Sequence, residues 1–561
     1  MQSSLPQKRP NLTIFHNFGD SGIPTLGDER TCVPSLSSQG TASAKSKPGS
    51  TPPVGKSSQT SKKHNMRLHY AVGLLLVVNI LLSTSGCAGE MDEVALKAER
   101  RWEGVKLILS CPDAAWRTTL EPIAESWAYR TGAQVQWRSK AMQAGDDTDV
   151  ALLPAAELGT WADQSELVRV PAAFRQPGHP FQWTNVLLPY REYLIEWGGQ
   201  AQALPLAGDA WLVVARRDRL EDAVVRASHE RLWKRVPTLP ATWEEFTELA
   251  ITMTQVSGQP CLPPCPHAEL VDLFFRIAAC YDRPAQTDVE QARSTPFFFD
   301  PQTAAPRLEA PAFVQAARWL ASLVEHRCLP LPPAVSGAAT PNPPSPAASQ
   351  ALASGQAMLA IVSLRDLEQL PRTAGHVDPR FLLAPLPGSR GYFTSDGKWV
   401  PTVTPNYVPY FAGGYIGVVR RRCRFPEAAF ELLGELGGPA RSLEILRTPG
   451  LNAGPFRSAH LDRDRLHVWY GYRLDAERSL HLQDALRSYV RVEVRNPVVG
   501  LRAPDQARLR AAAAAELSRL FHGADPKKVV QRMSAAWQRL DTDTPLADRL
   551  RWRQSSAGLA D

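Results

Sequence analysis

The chain has 561 residues, 44% hydrophobic and 21% charged, which is the composition of an ordinary globular protein too long for one hydrophobic core. Most of its net charge of +7 lies in residues 1–87, whose nine Lys/Arg and three Asp/Glu leave 54 basic against 53 acidic residues beyond them. So balanced a body carries no electrostatic footprint for nucleic acid, and that class of partner is excluded.

Residues 1–65 are rich in Ser, Pro, Thr, Gly and Lys without apolar periodicity, so a disordered tail is expected there, or a stretch upstream of the true start if translation begins at Met66. From Met66 the chain runs through Arg67, an apolar stretch from Ala71 to Leu82 and small residues up to Cys87. A positively flanked start, a short h-region and small residues before a cysteine are the anatomy of an export signal. The apolar run is shorter than the roughly 20 residues that span a bilayer. It resembles a bacterial lipoprotein signal over 66–87, with Cys87 as the lipidated residue and Thr84 where that motif has Leu. The alternative is an uncleaved signal anchor. Residues 88–103 read as a polar tether.

The fold is expected to begin with a strand at Val105–Leu109, a helix from Trp116 to Thr131 and a second strand at Gln134–Arg138, a β-α-β unit. Asp149-Val-Ala-Leu-Leu-Pro154 is a buried strand that opens into a helix start at Ala155–Asp163, the place where α/β sheets bind ligands. Next comes Ala203-Leu-Pro-Leu-Ala-Gly-Asp-Ala-Trp-Leu-Val-Val-Ala-Arg-Arg-Asp218, a loop with an acid and an indole feeding a strand buried on both faces. Thr242 and Glu245 form a capping-box pattern, and helices are expected over 268–281 and 311–326. A Pro-rich surface loop at 329–346 precedes a buried strand at 356–362. Gly413 and Gly414 permit close backbone approach before Tyr415–Val419. Helices follow from Pro426, from Pro504 to His522 and from Pro526 to Leu540, and 541–561 read as a loose tail.

Beyond Cys32 and Cys87 there are six cysteines, which allow fifteen pairings. Cys261–Cys265 and Cys280–Cys328 are two that the spacing permits, with Cys111 and Cys423 remaining. A metal site of Cys261, Cys265 and His267 lacks a fourth ligand at regular spacing, and no metal or cofactor is expected.

Taken in order, the segments from 104 to 540 resemble the bacterial extracellular solute-binding proteins of the family that includes maltose-binding protein. The carriers are Asp149–Pro154, Ala203–Trp211, Pro240-Ala-Thr-Trp-Glu-Glu-Phe246, Ala353-Ser-Gly-Gln-Ala-Met-Leu-Ala-Ile361, Ala384-Pro-Leu-Pro-Gly388, Gly413–Val419 and Pro426-Glu-Ala-Ala-Phe-Glu-Leu-Leu433. The resemblance implies an α/β, two-lobed, periplasmic-binding-protein-like (type II) fold with crossing segments near 209–213, 408–414 and 452–457. Lobe 1 would comprise 104–210 plus 412–452, and lobe 2 would comprise 211–411 plus 453–540. A monomer is implied, lipid-anchored on the periplasmic side of the cell membrane. It would capture a small polar solute, a sugar first of all, in the interlobe cleft and deliver it to ABC permease subunits.

For such a ligand the candidate contacts are Asp113, Trp116, Glu157, Trp161, Asp209, Trp211, Tyr415 and Arg457. One departure from the family stands at Ser363-Leu364-Arg365, where its members often place an aromatic in the cleft. An exported hydrolase is the weaker reading, since no Gly-x-Ser-x-Gly elbow, phosphate loop or metal-spaced His pair is present. A binding or sensing lipoprotein that serves no transporter is the other alternative.

Overall fold

A computed structural model describes residues 100–285, 296–331, 347–489 and 498–559. The tail 1–65, the signal 66–87 with Cys87, the tether up to 99 and the Pro-rich stretch 332–346 lie outside the described residues.

The first lobe starts with strand β1 (Lys106–Ser110), helix α1 (Ala114–Thr131) and strand β2 (Gln134–Arg138). Trp116, Leu120, Ile123, Ala124 and Trp127 form the buried stripe of α1, the helical spacing visible in the sequence. Strand β3 (Val150–Pro154), the short helix α2 (Leu158–Asp163) and strand β4 (Leu204–Ala207) complete the outward pass.

After Gly208–Ala210 the chain enters a second sheet through β5 (Trp211–Arg216), whose interior is fully buried. Helices α3 (Trp243–Ser257), α4 (His267–Asp282) and α5 (Pro311–Glu325) follow, with α5 packed against both of the others. Strands β6 (Leu359–Ser363) and β7 (Phe381–Ala384) flank β5 on either side, both antiparallel. The chain then returns to the first sheet as β8 (Tyr415–Val419), which α6 (Pro426–Leu436) covers, while α7 (Pro439–Leu446) packs on β4. The first sheet therefore has the order β2-β1-β3-β8-β4, with β8 antiparallel to both neighbours. Two sheets fed by a chain that passes out, back and out again constitute the two-lobed type II architecture.

Helix α8 (Ala476–Tyr489) packs on β5 and β7 of the second sheet. Helices α9 (Gln506–Leu517) and α10 (Pro526–Asp541) pack on each other, α9 against α4 and α10 against α5. The expected loose tail is instead helix α11 (Leu546–Ser556), which lies against α2 of the first lobe. Its sequence, LADRLRWRQSS, hides it, because charged groups rather than an apolar stripe anchor it.

The third crossing is also displaced. Arg457, placed in lobe 2 from the sequence, is buried in lobe 1, where its guanidinium donates to Gly437 O at 2.6 and 3.1 Å and to Phe181 O at 2.9 Å. His460 likewise meets Ser442 of α7 at 3.0 Å, so the chain leaves lobe 1 only after these residues.

Neither cysteine pairing permitted by spacing is formed, and all six described cysteines are free. The Cys261 thiol faces that of Cys328, and Leu262 N donates to Cys328 O at 3.0 Å. The Cys280 thiol instead points at Arg276 O, 3.5 Å away.

Candidate functional site

The carboxyl ends of β1 and β3 and the start of β8 share one edge of the first sheet, since Tyr415 pairs with Pro154. Asp113 follows β1 and caps α1, its Oδ1 accepting from Ala115 N at 2.9 Å and Trp116 N at 3.2 Å. Trp116, one turn on, stacks on Tyr415 with ring centroids 4.3 Å apart and planes at 14°. The Tyr415 hydroxyl lies 3.9 Å from Cys111 Sγ, and burial pushes that thiol up to about 11. Both rings are buried in this pair, so they offer a cleft ligand an edge rather than open faces. Glu157, on the turn after β3, is half-buried, and desolvation raises its pKa above the usual carboxylate range.

Trp161 falls elsewhere. Its ring lies 5.7 Å from the Arg420 guanidinium, and Arg420 follows Val419, which pairs with Val150 at the opposite edge of the sheet. Helix α2 runs back from the ligand edge, which carries this indole away from Asp113 and Glu157.

Asp209 is at the first crossing, 3% exposed, and its carboxylate is fully engaged by protein. Oδ2 accepts from Ala412 N at 3.1 Å, Gly413 N at 3.0 Å and Arg276 Nη2 at 3.2 Å, and Oδ1 accepts from Trp211 Nε1 at 2.7 Å. This one carboxylate thus ties the first crossing to the second. A Cβ on Gly413 would sit 2.9 Å from Asp209 Oδ1, so any side chain there would press on the carboxylate. Gly208 and Gly454 exchange backbone hydrogen bonds at 2.9 and 3.0 Å beside the same junction.

Arg276 was not nominated from the sequence. It is 4% exposed, donates to Tyr410 O at 2.7 Å, and places its guanidinium 4.7 Å from the Trp211 ring centroid. The signal was present as the lone basic residue among the apolar positions of α4, in Leu273-Phe-Phe-Arg-Ile-Ala278. Trp211 itself is half-buried.

Ser363, at the departure from the family pattern, is fully buried. Its amide and hydroxyl both donate to Asp366 Oδ2, at 2.8 and 2.9 Å, as a helix cap. Arg457, besides its carbonyl partners, lies 4.5 Å from the Phe181 ring, and burial lowers its pKa to about 10. It braces lobe 1 rather than facing the cleft. Of the eight candidates, Asp113 and Glu157 remain part-exposed at the carboxyl edge of the first sheet, and Trp116 and Tyr415 form a stacked pair there. Trp211 is part-exposed at the start of β5 in the second sheet, Trp161 lies by Arg420 at the opposite edge, and Asp209 and Arg457 act on the scaffold.

The architecture is a two-lobed α/β fold of type II, and the comparisons find the same fold. The sugar-binding protein MalE of Xanthomonas citri superposes with a TM-score of 0.55 at 14% identity, covering 79% of this chain and 100% of its own. Maltose-bound MalE3 of T. maritima gives 0.53 at 15% identity, with 78% and 100% covered. A putative oligosaccharide periplasmic-binding protein of Synechococcus sp. MITs9220, in complex with zinc, gives 0.54 at 17%, with 80% and 100% covered. No family model and no curated protein matches the sequence.

Proposed function

We propose that the chain is an extracytoplasmic solute-binding protein that captures a carbohydrate between its lobes for an ABC-type importer, acting by binding and not by catalysis. The observation that carries this reading is the complete two-lobed fold, matched over the full length of sugar-binding proteins such as the MalE proteins above. Under it, Asp113 and Glu157 accept hydrogen bonds from sugar hydroxyls, and the indole of Trp211 with the edge of the Trp116–Tyr415 stack supplies apolar contact. Closure follows because a ligand touching both lobes favours the closed form. A lipid anchor on Cys87 would hold the protein at the outer face of the cell membrane. Isothermal calorimetry with maltose, maltotetraose and acarbose tests the reading, and heat of binding to at least one saccharide is expected. No binding to any of them by a folded chain would defeat it.

A second reading, a binding lipoprotein that serves no transporter, is favoured by one feature: helix α11 ties the lobes to each other. Reconstituted permease separates the two, since a transport receptor stimulates its ATPase and a stand-alone binder does not.

A further inference from the structure

Two elements of the carboxyl-terminal region reach across to lobe 1. The first is Arg502, 3% exposed, on the segment that joins the strand pair 498–499 to α9. Its Nη1 donates to three lobe 1 carbonyls, Tyr193 at 2.5 Å, Leu194 at 2.9 Å and Glu196 at 3.0 Å, and its Nη2 donates to Ser556 O at 2.6 Å. A cation held by four carbonyls is a geometrically specific anchor, and desolvation lowers its pKa only to about 10, so it stays charged. The backbone here comes so close to α2 that a Cβ on Gly159 would lie 2.3 Å from Arg502 O. Only glycine at 159 admits the segment. Between Ala155–Ala156 and Gly500–Arg502 the remaining cavity is about 10 Å³.

The second element is α11, which uses two faces on two lobes. Arg551 and Ser555, four residues apart and therefore on one face, meet lobe 1. The Arg551 guanidinium reaches both carboxylate oxygens of Asp163 at 3.0 and 3.2 Å, and Ser555 O accepts from Gly198 N at 3.0 Å. Arg553 and Gln554 turn to lobe 2. Arg553 pairs with Asp505, at the start of α9, at 2.5 and 2.9 Å and with Asp541, at the end of α10, at 3.3 Å, while Gln554 donates to Pro301 O at 2.9 Å. Arg553 also covers the Phe299 ring at 3.8 Å.

We infer that α11 and Arg502 form a built-in clasp that holds the lobes together, so that closure of the cleft is set by the chain's own carboxyl terminus and not by solute alone. The inference rests on the two-lobed receptor reading and specifies how the same cleft is regulated. In an open-and-shut receptor the minor closed state lowers apparent affinity by its fractional population, and a clasp removes that penalty while obstructing entry. Solute exchange then requires release of α11.

The test is small-angle scattering of three proteins with and without maltotetraose: the full chain, a chain ending at Thr544, and full-length Arg551→Glu. The last sets a carboxylate against Asp163 at a side chain 42% exposed, a change that leaves the core intact even if the truncation fails to fold. The expected result is a full chain whose radius of gyration is unchanged by sugar, and clasp variants that expand without it. Equal radii for full chain and Arg551→Glu, or a full chain that contracts on sugar as much as the variant, overturn the clasp. Failure of every protein to bind sugar defeats the carbohydrate reading, while the sugar-free radii still decide the clasp.

Discussion

Asp209 and Arg276 meet at 3.2 Å as a buried ion pair that also engages the backbone of the second crossing, the acid through Ala412 N and Gly413 N and the base through Tyr410 O, while Trp211 Nε1 donates to the other carboxylate oxygen. The pair fixes where the two crossing segments sit relative to each other. Removing one partner strands the other without compensation, so Asp209→Ala is expected to lose about 3–5 kcal/mol of stability in urea denaturation. A variant of unchanged stability with weakened sugar binding would instead place Asp209 in direct contact with ligand.

Glu157 behaves oppositely. Burial raises its folded pKa above the unfolded value of 4.5, so its ionised form is a cost to the fold at neutral pH, and wild-type stability recovers that amount as pH falls through the raised pKa. Glu157→Gln is expected to be as stable as wild type at pH 7, or more so. The same change removes a charged acceptor from the ligand edge and should weaken saccharide binding by about 1.5–3 kcal/mol. Calorimetry and thermal melts on one preparation check both, and loss of stability with intact binding would contradict the assignment.

His460 sets a pH limit. Phe456 N donates to its Nδ1 at 3.3 Å, so Nε2 carries the proton and donates to Ser442 Oγ at 3.0 Å. Burial, with Arg457 and Arg465 nearby, lowers its pKa from 6.5 to about 3, and burial with Arg235 lowers that of His229 to about 4. The unfolded chain therefore takes up protons below pH 6.5 that the folded chain refuses. Stability should fall from pH 6.5 towards 4 by about 1.4 kcal/mol per pH unit for each histidine. His460→Asn, which keeps an acceptor for Phe456 N, should flatten the profile, and an unaltered slope would remove His460 from the cause.

The facing thiols of Cys261 and Cys328 give a covalent prediction. With oxidised glutathione as electron acceptor they are expected to join as a disulfide, each losing a proton and together two electrons. Peptide mass spectrometry should find a 261–328 cross-link. A 261–265 or 280–328 link would contradict the observed geometry.

What the sequence made legible is what neighbours in the chain decide. The α1 stripe follows from helical periodicity. The Thr242 cap is present with its hydroxyl accepting from Glu245 N at 3.2 Å, although the Glu245 carboxylate turns to Ala241 N rather than to the cap residue. The buried strands β3, β5 and β8 are apolar runs bounded by turns. The partners of Asp209 and Arg457 were illegible because they come from residues far apart in the chain, 276 and 412–413 for the first, 181 and 437 for the second. An acid before a buried strand reads alike whether it faces a sugar or a guanidinium. Helix α11 was misread for a related reason: its anchors at Asp163, Asp505 and Asp541 are tertiary, and its own composition is that of a solvated tail.

The most direct measurement is a crystal structure of the full chain grown with maltotetraose. The expected result is saccharide density at the carboxyl edge of the first sheet, within hydrogen-bond distance of Asp113 or Glu157 and in contact with the Trp211 indole. Saccharide bound away from this edge, or a cleft that stays empty at saturating sugar while the protein remains folded, would contradict the carbohydrate-binding assignment.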